Sequence, residues 1–447
     1  MATTDQPQSV ASAPKVVHAD ATKDFFVTMI TRDISLGDCI FDLLDNAIDG
    51  ARRSLSTETA RPFSDHQIVL HFDSSSFQIS DNCGGILLTD AIDYAFHFGR
   101  KPNSPADVKG GIGLYGIGMK RAIFKIGRYC EVISQAADAA FKVTVDVDAW
   151  EAQEKWDFEY SDIAREGSQG TRIEINKLND GIKEILGDPA FKNELMRDIA
   201  RDYAFFIQQG LTIQVGDDVV PSYKYQLMQA EQVAPSVEEY SDDGVTVRIL
   251  AGLVDDLPDD IPDELKPDKV DRFGWFVICN DRVVLAADKG ERTVWGDDGF
   301  NVWHPQYNGF GGFVFFHAED QRKLPWTTTK RELDGSSPLY RRAVARMKTV
   351  TQVFIDYTNR RKLDLPTAKA AEASRVQVEV SELRQSQPFK LPQISATATR
   401  SDMVTISYRK DKREVEEIKR HLGHISMSAK DVGIKTFEYF RETEMGK

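Results

Sequence analysis

Apolar and polar positions repeat with two different periods in the first part of the chain. Between Leu36 and Arg53 apolar residues recur every three or four positions, which predicts an amphipathic helix. The stretch 66–80 shows two apolar alternations separated by serines, which predicts two strands joined by a turn. A glycine-dense stretch at 110–118 precedes a short helical pattern that Gly127 is expected to end. Further strands are predicted at 128–134, 140–147 and 171–178.

A second set of elements is predicted from Ile182 onward. One long helix is expected over roughly 182–209, ended by Gly210 and followed by a strand at 211–215. The acidic, proline-rich run 255–271 predicts an exposed loop. The later elements are strands at 273–279, 282–286 and 312–317, a helix at 338–361, and a strand and two helices after Met403.

These patterns divide an α+β protein into five predicted segments. They are a flexible arm at 1–22, an α/β domain at 23–180, a second α/β domain at 181–364, a polar linker at 365–400 and a small C-terminal α/β element at 401–447. The sequence shows no internal repeat.

The composition of the 447 residues is that of a globular protein, with 41% hydrophobic and 28% charged residues. No apolar run approaches the ~18 residues of a membrane span and no apolar leader opens the chain, so we expect a cytoplasmic protein with no membrane partner. The four cysteines lie far apart, which disfavours a disulfide or zinc framework. The net charge of −14 argues against a strongly basic nucleic-acid-binding surface but is compatible with a local basic face.

Four polar side chains share one face of the predicted helix at 36–53. Asp42, Asp45, Asn46 and Asp49 are spaced at i, i+3, i+4 and i+7, opposite the apolar stripe. A solvated surface is the commoner origin of such a face, whereas the apolar residues that flank it here favour a lined cavity. In a cavity, a divalent cation with phosphates would compensate the acidic charge, because Mg²⁺ takes oxygen ligands.

The segment 79–86 ends a predicted strand with a carboxylate followed by two glycines. One interpretation is an ordinary Asp-Asn-Gly turn. The other is that Asp81 accepts a hydrogen bond from an exocyclic amine such as that of adenine, while the glycines let the base approach the backbone.

The glycines of 110–118 match the pattern G-x-G-x-x-G at Gly111, Gly113 and Gly116. A dinucleotide-binding fingerprint needs a strand immediately before it, and here a loop precedes it. The phosphate loop of nucleotide triphosphatases is also not matched, because no Ser or Thr follows Lys120. The remaining interpretation is a glycine loop that opens a helix, whose free N–H groups and dipole suit an anion.

Four motifs occur in a fixed order along the chain. They are Asn46 in a helix, Asp81–Gly85 after a strand, Gly113–Gly118 before a helix, and Gly170–Thr171 before a strand. Each is weak alone, but in this order they resemble the GHKL ATPase superfamily, which includes DNA gyrase B, MutL, Hsp90-type chaperones, MORC proteins and histidine kinases. The resemblance implies a Bergerat-fold sandwich, with helices on one face of a mixed sheet, that binds ATP and Mg²⁺.

The resemblance also implies a role for each matched residue. Asn46 would hold Mg²⁺, and Asp81 would bind the adenine amine with help from Thr171 through water. Asp42 stands where the family has a Glu as general base, and its side chain is one methylene shorter, so we expect slow hydrolysis. The other implied nucleotide-binding residues are Asp49, Gly85, Ile86, Gly113, Gly116, Ile117, Gly118, Met119 and Lys120.

The second half of the chain distinguishes branches of the superfamily. A histidine kinase is disfavoured because only His18 precedes the Asn46 helix. The segments 277–288 and 324–333 resemble the S5-like transducer domain of the other branch, with Lys330 as the catalytic cation directed at the γ-phosphate. A plain surface lysine is the alternative interpretation of Lys330. The nearest match is a MORC-like protein, including prokaryotic relatives of MORC.

For such a protein the resemblance implies an ATP-dependent clamp. It would form a homodimer when nucleotide binds, through the arm at 1–22, and would act on DNA or a DNA-associated protein. Two alternatives stay open: a nucleotide-sensing module with little turnover, suggested by Asp42, and a chaperone-like clamp on protein clients. The segment 401–447 is expected to serve dimerisation or partner docking.

Overall fold

The computed structural model describes residues 22–55, 61–99, 108–113, 116–254, 257, 272–327, 329–394, 409–424 and 426–446. The chain forms two compact units, Met1–Ile394 and Ser395–Lys447. Apart from single residues, the predicted arm at 1–22 and the predicted loop at 255–271 lie outside the described residues. So does the strand expected directly after Met403.

A sheet of eight strands organises the first half of the larger unit. Its strands are β1 (Gln67–Phe72), β2 (Phe77–Asp81), β3 (Gly127–Gln135), β4 (Ala140–Asp146), β5 (Glu159–Asp162), β6 (Gly170–Leu178), β7 (Thr212–Val215) and β8 (Asp218–Val219). Their order across the sheet is β5-β4-β3-β6-β2-β1-β7-β8. All neighbours are antiparallel except β1 and β7, so the sheet is mixed, as the sequence analysis expected.

Among the described residues, eight α-helices and the π-helical turn Ala91–Ala95 accompany this sheet. The α-helices are α1 (Lys23–Arg32), α2 (Leu36–Arg52), α3 (Leu88–Asp90), α4 (Gly118–Ile126), α5 (Val147–Glu151), α6 (Asp180–Leu186), α7 (Pro189–Asp202) and α8 (Ala204–Gln208). Helix α2 packs against α4, and α4 packs against β3 and β6. The Ser35 hydroxyl caps α2 by accepting from the Asp38 N–H at 3.1 Å. Ile40, Leu44 and Ile48 of α2 are fully buried, at roughly 1.5–3 kcal/mol of stabilisation each.

The long helix predicted over 182–209 is wrong. The chain forms α6, α7 and α8 instead, because Gly187 ends α6 and Asp188 caps a new helix whose first residue is Pro189. The strand β7 that follows pairs in parallel with β1, with Ile68 opposite Ile213. The first sheet therefore continues beyond residue 180, where the sequence analysis placed the start of a second domain.

A second sheet of five strands follows. Its order is β10-β11-β14-β12-β13, formed by β10 (Ser236–Asp242), β11 (Val245–Leu253), β12 (Gly274–Cys279), β13 (Arg282–Asp288) and β14 (Phe310–His317). The long helix α9 (Pro338–Arg361) packs against β11 and β14. The predicted strands at 273–279, 282–286 and 312–317 and the predicted helix at 338–361 are confirmed.

The stretch predicted as a linker is ordered up to Ile394. It contains α10 (Leu365–Glu372) and β15 (Val376–Glu379), and β15 pairs with β9 (Gln226–Gln229). Arg361 at the end of α9 forms a buried ion pair with Glu372, at 2.8 Å. The polar composition predicted a linker because the few apolar residues that this segment buries, Ala368, Val380, Leu383 and Ile394, show no clear period along the chain.

The smaller unit contains α11 (Lys412–His421) and α12 (Ala429–Glu444), which confirms the two helices predicted in the tail. The two helices contact each other, and Val432 is the buried apolar residue of α12. Among the described residues of the whole chain, no helix is long and apolar enough to span a membrane.

Candidate nucleotide site

A cavity of about 280 Å³ lies between α2, the turn after β2 and the glycine loop before α4. Every site residue predicted from the sequence lines it. They are Asp42, Asn46, Asp49, Asp81, Gly85, Ile86, Gly113, Gly116, Ile117, Gly118, Met119, Lys120, Thr171 and Lys330. The fold therefore brings together residues that lie up to 288 positions apart in the chain.

The polar face of α2 is not a solvated surface. Asp42, Asp45 and Asp49 are 5%, 2% and 7% exposed, whereas Asn46 is exposed. Buried carboxylates need compensation. The described residues contain no cluster of three or more His, Cys, Asp or Glu side chains that could hold a metal ion. Hydrogen-bond donors and cations of the protein compensate these carboxylates instead.

Asp49 holds the start of the glycine loop. Its Oδ1 accepts from the backbone N–H of Ile112 at 2.8 Å, and its Oδ2 accepts from that of Gly113 at 2.6 Å. Burial raises the pKa of Asp49 above its ordinary value, although these two hydrogen bonds oppose the rise. A Cβ on Gly113 would lie 2.8 Å from Asp49 Oδ2, so a glycine is needed for this close approach.

Lys330 compensates the middle of the acidic face. Its ammonium donates to Asp45 Oδ2 at 2.6 Å and lies 3.4 Å from Asp42 Oδ1. Burial would lower the pKa of Lys330, but the carboxylates of Asp45 and Asp42 outweigh burial and raise it. At 5% exposure Lys330 is not the surface lysine of the alternative interpretation.

Asp45 is also held from the second sheet. Arg282, at the start of β13, approaches Asp45 Oδ1 at 3.4 Å and Asp202 Oδ2 at 3.2 Å. The Tyr203 hydroxyl donates to Asp45 Oδ1 at 2.8 Å, and the Arg282 guanidinium lies 4.3 Å from the centre of the Tyr203 ring. This buried network joins α2, α7 and β13.

Asp42, the candidate base, contacts a cation that sequence reasoning missed. Arg121, in the first turn of α4, donates from Nη2 to Asp42 Oδ2. The Asp42 side chain also lies against the start of α4, where a Cβ on Gly118 would be 2.9 Å from Asp42 Cγ. One feature of the sequence could have indicated Arg121: it is an arginine one turn after the glycine loop, in a helix whose other side chains are mostly apolar or buried.

Asp81, the last residue of β2, also lines the cavity. Its Oδ1 accepts from the backbone N–H groups of Cys83 at 2.8 Å and Thr171 at 3.2 Å. Burial raises the pKa of Asp81 to about 6. A Cβ on Gly170 would lie 1.9 Å from the Asp81 carbonyl oxygen, which explains the glycine before Thr171 in physical terms.

Gly85 and Ile86 form the wall next to Asp81. Gly85 has φ +73°, and a Cβ there would lie 2.5 Å from the Gln135 carbonyl oxygen. The Ser134 hydroxyl accepts from the Ile86 N–H and donates to the Ile86 carbonyl, both at 2.8 Å. Ser134 is a second residue that sequence reasoning missed, since nothing in its local pattern distinguishes it from an ordinary strand serine.

Lys120 binds the glycine loop itself. Its ammonium donates to the carbonyls of Ala95, at 2.8 Å, and Gly116. Lys120 is 3% exposed, so its charge is placed between the loop and the π-helical turn Ala91–Ala95. This arrangement ties the loop to the wall of the cavity.

Asn46 fits a magnesium site of the kind that phosphates complete. It is the exposed member of the α2 face, and a Cβ on Gly113 would lie 3.4 Å from its Oδ1. Mg²⁺ is usually held by one or two protein oxygens together with substrate phosphates and water. A single amide oxygen beside a glycine loop matches that donor set.

The segment 34–178 matches the family model described as histidine kinase-, DNA gyrase B-, and HSP90-like ATPase. The match supports a GHKL-type ATPase domain. It runs from just before α2 to the end of β6 and includes all the cavity-lining residues predicted from the sequence except Lys330. ATP binding and hydrolysis are therefore supported at the level of the GHKL domain. No curated protein matches the chain.

Proposed function

We propose that the chain is an ATP-dependent conformational switch that binds ATP with Mg²⁺ in this cavity and hydrolyses it slowly. One observation supports this most directly. The cavity joins a buried carboxylate, a glycine loop and the Asp42 carboxylate, and Lys330 reaches it from a segment beyond the second sheet. A nucleotide in this cavity would therefore lie beside Lys330, a residue of the second half of the chain.

Two groups of lining residues suit different parts of ATP. Asp81 is a carboxylate acceptor for the adenine amine, since its Oδ1 binds the two backbone donors and no hydrogen bond of Oδ2 is found among the described residues. The glycine loop and the first turn of α4 offer backbone N–H groups and the positive end of the helix dipole to phosphate. Mg²⁺ at Asn46 would neutralise phosphate charge.

Hydrolysis requires a base near the γ-phosphate. Water attacks the γ-phosphorus, the bond from phosphorus to the β–γ bridging oxygen breaks, and ADP and phosphate leave. Asp42 accepts the proton that water gives up, and Lys330 stabilises charge on the phosphate. The Asp42 carboxylate contacts two cations here, which makes slow turnover the expected behaviour.

Hydrogen bonds from the second half of the chain hold the start of the glycine loop. Asn280 Nδ2 donates to the Gly111 carbonyl at 3.0 Å, and Gln321 Nε2 donates to the Gly113 carbonyl at 3.0 Å. The Gly110 N–H donates to the Glu319 carbonyl at 3.1 Å. These hydrogen bonds would transmit a movement of the glycine loop over phosphate to the β12–β13 turn and to the segment after β14.

The finer assignment follows the resemblance to MORC-like proteins. In it, ATP drives homodimerisation through the arm at 1–22, and the dimer acts on DNA or a DNA-associated protein. The tail at 401–447 docks a partner or a second copy, and its α12 leaves Phe437 and Phe440 more than half exposed. Salt-sensitive DNA binding distinguishes DNA from protein clients, because phosphate contacts weaken steeply with salt.

A nucleotide-sensing module is the second candidate function. The contacts of Asp42 with Arg121 and Lys330 favour it, because both carboxylate oxygens are near cations. The variant Asp42→Glu separates the two functions. A large gain in turnover would favour a sensor, whereas no gain or a loss would favour a tuned enzyme.

A thermal-shift measurement tests nucleotide binding directly. It uses a non-hydrolysable ATP analogue with Mg²⁺ on the wild type, on Asn46→Ala and on the control Asn301→Ala, both of which change exposed asparagines. At ~100 times its dissociation constant the analogue should stabilise the wild type and the control by roughly 2.7 kcal/mol. Asn46→Ala should lose that shift. The absence of a shift in the wild type at millimolar analogue would contradict the proposed function.

A further inference from the structure

Arg121 is a buried cation on the wall of the cavity, and within the described part of the chain its Nε–H group is an unsatisfied hydrogen-bond donor. It is 7% exposed, and its Nη2 binds Asp42. Its Nε is buried and has no hydrogen-bond partner among the described residues. An unsatisfied buried donor on a charged group is costly, so its presence on a cavity wall indicates an anion that binds there.

The position of Arg121 suits phosphate. The residue lies in the first turn of α4, directly after the glycine loop, where the helix dipole favours negative charge. Its fork of N–H donors matches phosphate oxygens better than an ammonium does. Arg121 and Lys330 approach Asp42 from different segments and contact different oxygens of its carboxylate, Oδ2 and Oδ1.

We propose that Arg121, within the GHKL-type domain, is a phosphate-binding residue that leaves Asp42 to bind the γ-phosphate. Without nucleotide, Arg121 neutralises Asp42. With a triphosphate in the cavity, the guanidinium turns to the phosphate, and Asp42 Oδ2 becomes free to accept a proton from water. The inference rests on the proposed function, since it deepens the same site.

The exchange makes the site sensitive to the γ-phosphate. ADP lacks the group that draws Arg121 away, so Asp42 stays paired and the cavity keeps its nucleotide-free arrangement. ATP gains a charge-assisted hydrogen bond that ADP does not. Arg121 is therefore expected to contribute about tenfold to a hundredfold to the preference for triphosphate over diphosphate.

Nucleotide affinities of matched variants test the inference. The measured quantity is the ratio of the dissociation constants of ADP and a non-hydrolysable ATP analogue, both with Mg²⁺, on the full chain. Arg121→Met should lower this ratio about tenfold to a hundredfold, and Arg121→Lys should restore part of it. The control Arg53→Met removes a cation that lines the same cavity near Asp81, and it should leave the ratio unchanged.

A double variant separates a lost phosphate contact from repulsion by an unpaired Asp42. In Asp42→Asn the carboxylate charge is absent, so any further change caused by Arg121→Met comes from Arg121 itself. The double variant also removes both members of the buried pair, so it is expected to fold even where the single variant fails. Its ratio should lie about tenfold or more below that of Asp42→Asn.

An equal ratio in Asp42→Asn and in the double variant would overturn the inference while leaving ATP binding intact. Failure of the wild type to bind either nucleotide would overturn the proposed function, and this inference with it. The two failures are thus distinguished by the wild-type measurement alone.

Discussion

At the scale of single residues, burial and close contacts determine the role of a residue more than its side-chain type does. Asp81 and Asp49 have the same side chain, yet Asp81 accepts from the Cys83 and Thr171 N–H groups and is the proposed adenine acceptor, whereas Asp49 holds backbone N–H groups of the glycine loop. Gly170 and Gly113 are required by neighbours that lie too near for a Cβ. Each of these constraints gives a measurable expectation.

Nucleotide affinity should depend on pH through Asp81. Its pKa is raised to about 6 by burial, so the carboxyl becomes protonated as pH falls through 6 and accepts the adenine amine less well. The dissociation constant of the ATP analogue should therefore rise below pH 6. Phosphate groups also titrate in this range, so the profile is compared with that of Asp81→Asn, which should lack this contribution. Identical profiles would contradict the assignment of Asp81.

The same shift predicts an effect on stability without nucleotide. The folded-state pKa of Asp81 lies above its ordinary value of 3.8, so the folded state binds this proton more readily than the unfolded state. Asp81 alone should therefore increase the free energy of unfolding as pH falls from about 6 to 4. Urea unfolding of the wild type and of Asp81→Asn across this range measures the effect. The variant should lack the increase, and an equal increase in both proteins would show that Asp81 is not its source.

Gly170→Ala should destabilise the protein. The new methyl group would lie 1.9 Å from the Asp81 carbonyl oxygen and would force β2 and β6 apart. We expect the free energy of unfolding to fall by about 1–3 kcal/mol, with weaker nucleotide binding. Gly181→Ala in α6 is the matched control, since nothing lies within 4 Å of its Cβ position and alanine favours helix. Equal stability of both variants in urea would refute the steric argument.

At the scale of elements, a buried ion network joins helices of the first sheet to a strand of the second. Arg282 of β13 lies between Asp45 of α2 and Asp202 of α7. The helical period of α2 and the short apolar run of β13 predicted both elements correctly, because α2 buries one face and β13 is buried on both faces at its start. Periodicity could not predict the split of the helix at 187–189 or the pairing of β7 with β1, because a sheet partner is chosen by tertiary packing.

Arg282→Met should be strongly destabilising. It removes the buried cation that Asp45 and Asp202 share. Because Lys330 and Arg201 stay beside them at 2.6 and 2.7 Å, we expect a loss of about 3 kcal/mol, at the low end for a broken buried pair. The control Arg292→Met removes an arginine whose side chain is 61% exposed, and its pair with Asp288 should contribute about 1 kcal/mol or less. Chemical unfolding measures both values. A loss for Arg282→Met as small as that of the control would show that the network is not structural.

At the scale of the whole molecule, hydrogen bonds join the glycine loop to the second half of the chain. Gln321 and Asn280 donate to loop carbonyls from segments that follow the family match at 34–178. A nucleotide that orders the loop should therefore alter hydrogen exchange in these segments. Such a change in hydrogen exchange would support the proposed conformational switch.

Gln321→Ala should weaken that connection. Loss of the hydrogen bond to the Gly113 carbonyl should reduce the nucleotide-induced protection of residues 318–321 in hydrogen exchange, while nucleotide affinity changes little. The neighbouring control Arg322→Ala changes a side chain that is 70% exposed and should keep the protection. Full protection in Gln321→Ala would mean that the loop and the second half respond independently.

Most elements, in order and type, and the candidate site residues that line the cavity could be predicted from the amino-acid sequence. Apolar periodicity is a local property, and the spacing of Asn46, Asp81, the glycine loop and Thr171 is readable along the chain. The way in which the acidic face of α2 is neutralised depends on long-range packing and could not be predicted. Arg121, Arg282 and Lys330 meet Asp42 and Asp45 across long sequence separations, and buried charge is compensated by whichever cations the fold brings within reach.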